Sequence, residues 1–338
     1  MMNQNKLGYL SSLDLLRGLA AVAVCYFHFT HGNPDFLSST NILYTTGRFG
    51  FLGVDVFFVI SGFVIPYAMF RGNYHRKDFG RFLSKRLVRI EPPYLVSIAL
   101  VLLLNWISTL SPWYRGMPFT INYEALALHL GYLNAFFNFP WVNDVYWTLA
   151  IEFQYYILIA LLFPLLVHKE KRYAYGTLIL FGISGYFFGS HNFIFNYSLL
   201  FIAGILLFQF YIGYISKKAF GSVFLIVLLL IYSKFDNRYL VAALLPFFFV
   251  NYFEFHDKVS KFLGNISYSL YLVHIPIGGR IINICETLFQ NEWIRSLFVF
   301  VALGVSLFSA WLFFRFIEKP FMELAKRISY KKTERTKT

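Results

Sequence analysis

The chain alternates long apolar runs with short basic tracts, and that alternation leaves few folds open to it. Runs such as 50–70, 146–167 and 294–317 reach the roughly 17–25 residues a helix needs to cross a hydrocarbon core about 30 Å thick. Lipid offers no partner to backbone N–H and C=O groups, so each segment must satisfy them internally, which repeated runs of this length do as helices. Composition agrees. Of the 338 residues, 58% are hydrophobic and 14% charged, against roughly 25% charged in a soluble domain.

Apolar stretches between polar breaks predict helices at 13–29, 50–70, 92–110, 146–167, 173–189, 195–213, 219–234, 238–254, 264–285 and 294–317. The fold expected is therefore an all-α integral membrane bundle of about ten transmembrane helices. Segment 124–139 is read as a short extra helix, interfacial or re-entrant. No repeat or linker marks a second domain, so residues 1–325 are expected to form one transmembrane domain and 326–338 a basic cytoplasmic tail.

Orientation follows from the basic residues. With a cytoplasmic N-terminus, 22 of the 30 Lys and Arg fall on inside segments, mainly 71–89 and 319–337. Only Arg48, Arg115, Lys234, Arg238 and Arg295 fall outside. That asymmetry predicts an even span count with both termini cytoplasmic. It also accounts for the net charge of +13 without nucleic acid as a partner. Cys25 and Cys285 lie in apolar runs, where neither a disulfide framework nor a zinc site fits. The first run contains Asp14 and Arg17 and lacks a small-residue cleavage pattern, so it reads as a retained helix.

Ionisable side chains inside spans cost about 2.5–3.5 kcal/mol each on insertion scales and are functional candidates by default. Arg17 and His28 share one helical face, separated by about 16 Å along the axis, with Asp14 one turn before Arg17. Arg17 could alternatively snorkel to the cytoplasmic face, and His28 could be a packing histidine. Counting rise per residue places His28, Asp55 and Glu152 each about 7–9 Å below the outer boundary, a polar layer contributed by three helices. A histidine beside carboxylates suits general-base catalysis. His28 and His31 form an H-x-x-H pair, but no further His or Cys cluster follows, so no metal is expected. In the tract 71–91, Lys85, Arg86 and Arg89 precede Pro92–Pro93, read as a helix start. Topology and anionic lipid explain such charge; a clamp on phosphate explains it equally.

These stretches resemble membrane-bound acyltransferase family 3, the group of O-antigen, nodulation-factor and exopolysaccharide acetylases. The resemblance runs from about residue 11 to 322. LDLLRGLAAVAVCYFHF (13–29) carries the family's Arg-x10-His pattern as Arg17 and His28, and FLSKRLVRIEPPY (82–94) carries Arg-x-x-Arg as Arg86 and Arg89. GVDVFFVISGFVI, YWTLAIEFQYY, LGNISYSLYLVHIP and IEKP follow in the family's order. The resemblance implies an O-acyltransferase taking an acyl group, acetyl above all, from acyl-CoA to a hydroxyl of a cell-envelope carbohydrate or glycolipid in the bacterial inner membrane. It implies His28 as the catalytic histidine with Arg17 supporting it, Arg86 and Arg89 (with Lys85) on CoA phosphates, and His274 along the donor path or in a structural hydrogen bond. Glu152 matches the first glutamate of the family's W-S-L-S-x-E-E-Q-F-Y string; Phe153 replaces the second. Longer members add a C-terminal esterase-like domain, so any second relay step is expected to use another protein or not to occur.

A glycolipid transporter or flippase is the competing class, since buried charge and aromatic residues suit it too. Inverted repeats and paired broken helices, its usual signatures, are not evident. Oligomeric state is left open, a homo-oligomer included.

Overall fold

The computed structural model describes residues 8, 10–112, 114, 118–255 and 257–329. Lys6, Arg115 and the tail from 330, which enter the orientation argument, lie outside the described residues. The described residues form fourteen α-helices, with short 3-10 and π turns, and no strand. In chain order these are α1 Ser11–His31, α2 Ile42–Gly47, α3 Leu52–Arg71, α4 Phe79–Thr109, α5 Tyr123–His129, α6 Tyr146–Leu166 and α7 Lys171–Phe187. They continue with α8 Ser198–Tyr211, α9 Lys217–Lys234, α10 Arg238–Tyr252, α11 Lys258–His274, α12 Arg280–Leu288, α13 Glu292–Phe313 and α14 Lys319–Lys326.

Each of the ten expected apolar runs is helical, and the protein is an all-helical, multi-pass membrane chain. Six helical stretches, beginning at Ser11, Ile42, Arg76, Tyr146, Ile194 and Glu292, are long and apolar enough to cross a membrane. Of the remaining runs, α10 is apolar but has 15 residues, or about 22 Å of rise. The segment at 124–139 forms the seven-residue α5 and a 3-10 turn, Asn134–Phe137.

Three boundaries differ from expectation in ways that matter for the site. Pro92 and Pro93 do not start a helix; α4 begins at Phe79 and runs through both. Proline removes intrahelical bonds, and beside this gap the Tyr268 hydroxyl donates to the Ile90 carbonyl at 2.8 Å. Lys85, Arg86 and Arg89 therefore lie on a continuous helix rather than in a loop. The ninth run is split by a π turn, Ile275–Gly279, between α11 and α12, and the tenth by another, Phe314–Glu318, between α13 and α14. The second π turn directs Glu318 inward: it is 2% exposed and accepts from Ser269 Oγ at 2.6 Å.

Close helix approach fixes the frame. A Cβ on Gly18 would strike Leu263 of α11, and one on Gly264 would strike Asp14 of α1. Gly62 of α3 and Gly204 of α8 meet the facing backbone in the same way. Small residues at these crossings let backbones touch, which is how helices gain packing where lipid supplies no hydrophobic drive.

Candidate active site

The contact of α1 with α11 sets the first part of the site. Gly18 meets Leu263 near the start of both helices, and about three turns later the rings of His28 and His274 meet at 5.2 Å between centroids, inclined by 65°. Ten residues of α1 and eleven of α11 separate the two contacts, so the helices run parallel and keep the imidazoles level. His28 Nδ1 lies 3.1 Å from the Val24 carbonyl. His274 Nδ1 lies 3.1 Å from Leu270 O and 2.9 Å from Tyr271 O. A ring nitrogen facing a carbonyl must carry the proton, so each neutral ring keeps its lone pair on Nε2. His274 is fully buried and its Nε2 has no hydrogen-bond partner among the described residues.

A cavity of about 110 Å³ is lined by α1, α3, α4, α6 and α11, space for several waters. Arg17 of α1, Arg86 and Arg89 of α4, Glu152 and Tyr156 of α6, and Tyr268 of α11 contribute to its wall. Glu152 accepts from the Tyr156 hydroxyl one turn along at 2.6 Å. Arg86 lies over Phe82 and Tyr156, at 5.4 and 5.5 Å from the ring centroids. Asp14, Glu152 and Glu318 are electrostatic neighbours of Arg17. Yet among the described residues no carboxylate oxygen comes within ion-pair distance of any of the three guanidinium groups. Three cations thus face one cavity with a single carboxylate in its wall. Such an arrangement is costly in a low dielectric and favours an entering anion.

The cavity stops short of the imidazoles. Thr148 and Tyr271 belong to its wall, their hydroxyls 2.6 Å apart, and Tyr271 also donates to Val145 O at 3.1 Å. Tyr271 in turn meets His274 at 5.9 Å between ring centroids. The order along the bundle axis is therefore arginines, Tyr268, Tyr271, His274, with His28 beside the last.

The structure regroups the candidates read from sequence. Arg17 joins Arg86 and Arg89, and Glu152 joins the arginines. The layer of His28, Asp55 and Glu152 inferred from depth is not assembled: the hydrogen-bond and ring contacts of His28 are to Val24, Phe27 and His274. Asp55 is buried and has Asp236, Tyr197 and Tyr239 as its electrostatic neighbours. Equal depth places groups on one level of the bundle, while the azimuth of each helix decides which ones meet. Lys85 stands beside Arg86 and Arg89 but outside the cavity wall. His274 likewise lies outside that wall, against His28. Tyr156, Tyr268 and Tyr271 escaped the sequence reading, although Tyr156 is four residues from Glu152 and Tyr268, Tyr271 and His274 repeat at helical spacing.

A multi-pass bundle of apolar helices with an arginine-lined cavity defines the class: an integral-membrane protein whose cavity wall carries three guanidinium groups. Residues 10–315 match the family described as acyltransferase domain, and the chain belongs to that family. It is similar to "Putative O-acetyltransferase SACOL0978" of Staphylococcus aureus strain COL, 27% identical over 94% of this chain and 58% of the relative. It is also similar to "O-acetyltransferase OatA" of Staphylococcus aureus strain NCTC 8325, 31% identical over 48% of this chain and 26% of that protein. The chain thus spans somewhat over half the length of the first of these curated relatives. No solved structure gives a significant match.

Proposed function

We propose that the protein is a membrane O-acyltransferase that moves an acetyl group from acetyl-CoA to a hydroxyl of a cell-envelope carbohydrate or glycolipid. The observation that carries this reading is the trio Arg17, Arg86 and Arg89 facing one cavity without ion pairs among the described residues, inside a chain of the acyltransferase family. Bidentate guanidinium groups suit the pyrophosphate and phosphate oxygens of CoA, and Lys85 adds positive charge at the mouth. The basic tracts support ten spans with both termini cytoplasmic, which would let the nucleotide enter from the cytoplasmic side of a bacterial inner membrane.

The reaction needs one proton acceptor. His28 Nε2 takes the proton of the acceptor hydroxyl; the oxygen attacks the thioester carbonyl; the C–S bond breaks with its electron pair on sulfur; and the proton passes to the thiolate to give free CoA. Neither Asp55 nor Glu152 contacts His28 among the described residues, so this mechanism gives neither carboxylate a part in holding the base.

The test is incubation of membranes with radiolabelled acetyl-CoA and an envelope-glycan extract. Label is expected in glycan only when the protein is present, and His28→Ala is expected to abolish transfer while leaving expression intact. Undiminished transfer by that variant would reject His28 as the base. Absence of label with the wild-type protein would favour a transport role.

A further inference from the structure

The loop between α3 and α4 shapes a second cavity that the proton transfers above do not use. Asn73, with a φ of 53°, takes the left-handed conformation that asparagine tolerates better than most residues. The chain thereby brings Tyr74 against α6, where its hydroxyl donates to Ala160 O at 2.8 Å. The cavity beside it measures about 280 Å³ and lies at the ends of α3 and α6, just under the roughly 300–1,000 Å³ of small-molecule sites. Phe70, Tyr74, Phe163 and Val167 give it aromatic and apolar walls, and His75 and Arg76 stand at its polar side. Arg76 is exposed and forms no ion pair among the described residues. The carboxylate nearby, Asp78, is already engaged: it accepts from the His75 backbone N–H at 3.1 Å and lies 3.7 Å from Arg81.

Aromatic and apolar walls with an arginine at the edge suit a heterocyclic base that carries a phosphate. Basic residues on α4 link this place with the arginine cavity. Arg81, Lys85 and Arg89 recur at every fourth residue and so share a helical face. Lys85 stands beside Arg86 and Arg89, and Arg89 lines the arginine cavity. Phe82 lies between the two spaces, 5.7 Å from the Tyr74 ring and beneath Arg86 at 5.4 Å. We propose that the cavity at the ends of α3 and α6 holds the adenine base of the CoA donor, with the ribose 3′-phosphate on Arg76. The pyrophosphate then lies farther along α4, toward Arg86 and Arg89. The inference rests on the acyl-CoA donor of the reading above and deepens it by assigning the nucleotide end of that donor its own site.

Equilibrium binding to the purified protein in detergent tests the assignment, with CoA and 3′-dephospho-CoA as the two probes. Wild type is expected to bind CoA about tenfold more tightly, the lower end of what a charge-assisted hydrogen bond supplies. Arg76→Ala is expected to weaken CoA by about the same factor and to leave 3′-dephospho-CoA within about twofold, so that the preference disappears. Val167→Trp, which fills the cavity, is expected to weaken both probes and to leave binding of 4′-phosphopantetheine, which lacks the adenosine, unchanged. Equal affinity of wild type for CoA and 3′-dephospho-CoA would overturn the proposal. So would a preference that survives Arg76→Ala, or a loss in that variant that is the same for both probes. Because Arg76 is exposed, its variant is expected to fold as wild type does, which thermal unfolding in detergent checks, and its result stands whether or not Val167→Trp folds. The radiolabel transfer assay run alongside keeps the outcomes distinct. A wild type that shows the 3′-phosphate preference yet transfers no label retains the site and rejects acyl transfer, whereas transfer without the preference rejects the site alone. A wild type that binds neither probe rejects both.

Discussion

Residues 17, 86 and 89 show how a side chain's identity can be legible while its company is not. Arg86 and Arg89 at i and i+3 share a helical face, which spacing alone gives. That Arg17, 69 residues earlier than Arg86 in the chain, shares their cavity depends on how α1 and α4 lie around the bundle. The grouping leads to a prediction at this scale. Arg86→Ala and Arg89→Ala should each raise the KM for acetyl-CoA about 10–100-fold, the worth of a charge-assisted hydrogen bond of roughly 1.5–3 kcal/mol. Arg86→Lys should restore little of it, because a point charge cannot reproduce the planar fork. Unchanged KM in both alanine variants, measured by titrating acetyl-CoA in the membrane assay, would leave topology or lipid contact as their role. His28 was visible as an ionisable residue in a span, and its tautomer then follows from the i to i−4 bond to Val24. Asp55 was equally visible, yet it faces a different set of neighbours.

Among the elements, α1 carries His28 and packs on α11, and their contact depends on two glycines. Gly264→Ala would place a methyl group against the backbone of Asp14. It should destabilise the protein by about 1–3 kcal/mol, as overpacking does, and slow transfer by displacing α1, which carries His28. Gly221→Ala in α9, where no atom lies within 4 Å of the added carbon, should do neither. Thermal unfolding in detergent compares the two. The start of α11 offers a pH test. Asp257 caps the helix, accepting from Ser260 N–H at 2.8 Å and Ser260 Oγ at 2.6 Å. These bonds, the side-chain one foremost, hold its carboxyl below the ordinary value of 3.8. A depressed carboxyl stabilises the fold fully above its unfolded value and ceases to do so as pH falls through the folded one. Asp257→Asn should therefore unfold at a lower temperature than wild type at neutral pH. The gap should close as the pH drops below the ordinary carboxyl value; a gap that persists in acid would show that the charge is not the stabilising feature. Element positions were legible because run length and polar breaks report helices directly. The start of α4 was missed because a double proline usually ends or begins a helix, and here a tyrosine from α11 bonds the backbone beside the break.

For the whole molecule, orientation is the property most open to direct test. Single cysteines at Lys217 and Asn237, on opposite ends of α9 by the basic-tract argument, should differ in intact cells. Lys217→Cys should be shielded from a membrane-impermeant thiol reagent and Asn237→Cys labelled; equal labelling would remove the even-span, cytoplasmic-termini arrangement. The amino-acid sequence by itself determined that the chain is an all-helical membrane bundle, where its apolar runs lie and which side chains are too costly in lipid to be incidental. Those properties depend on local composition and on the solvent requirement of each segment, which act residue by residue. The tertiary structure alone decided that three arginines share one cavity, that Glu152 stands with them, and that His28 faces an imidazole where a carboxylate was expected. Those outcomes depend on the rotation of each helix about its axis and on which glycines let backbones touch, and a one-dimensional periodicity gives the face of a helix without naming the neighbour that the face will meet.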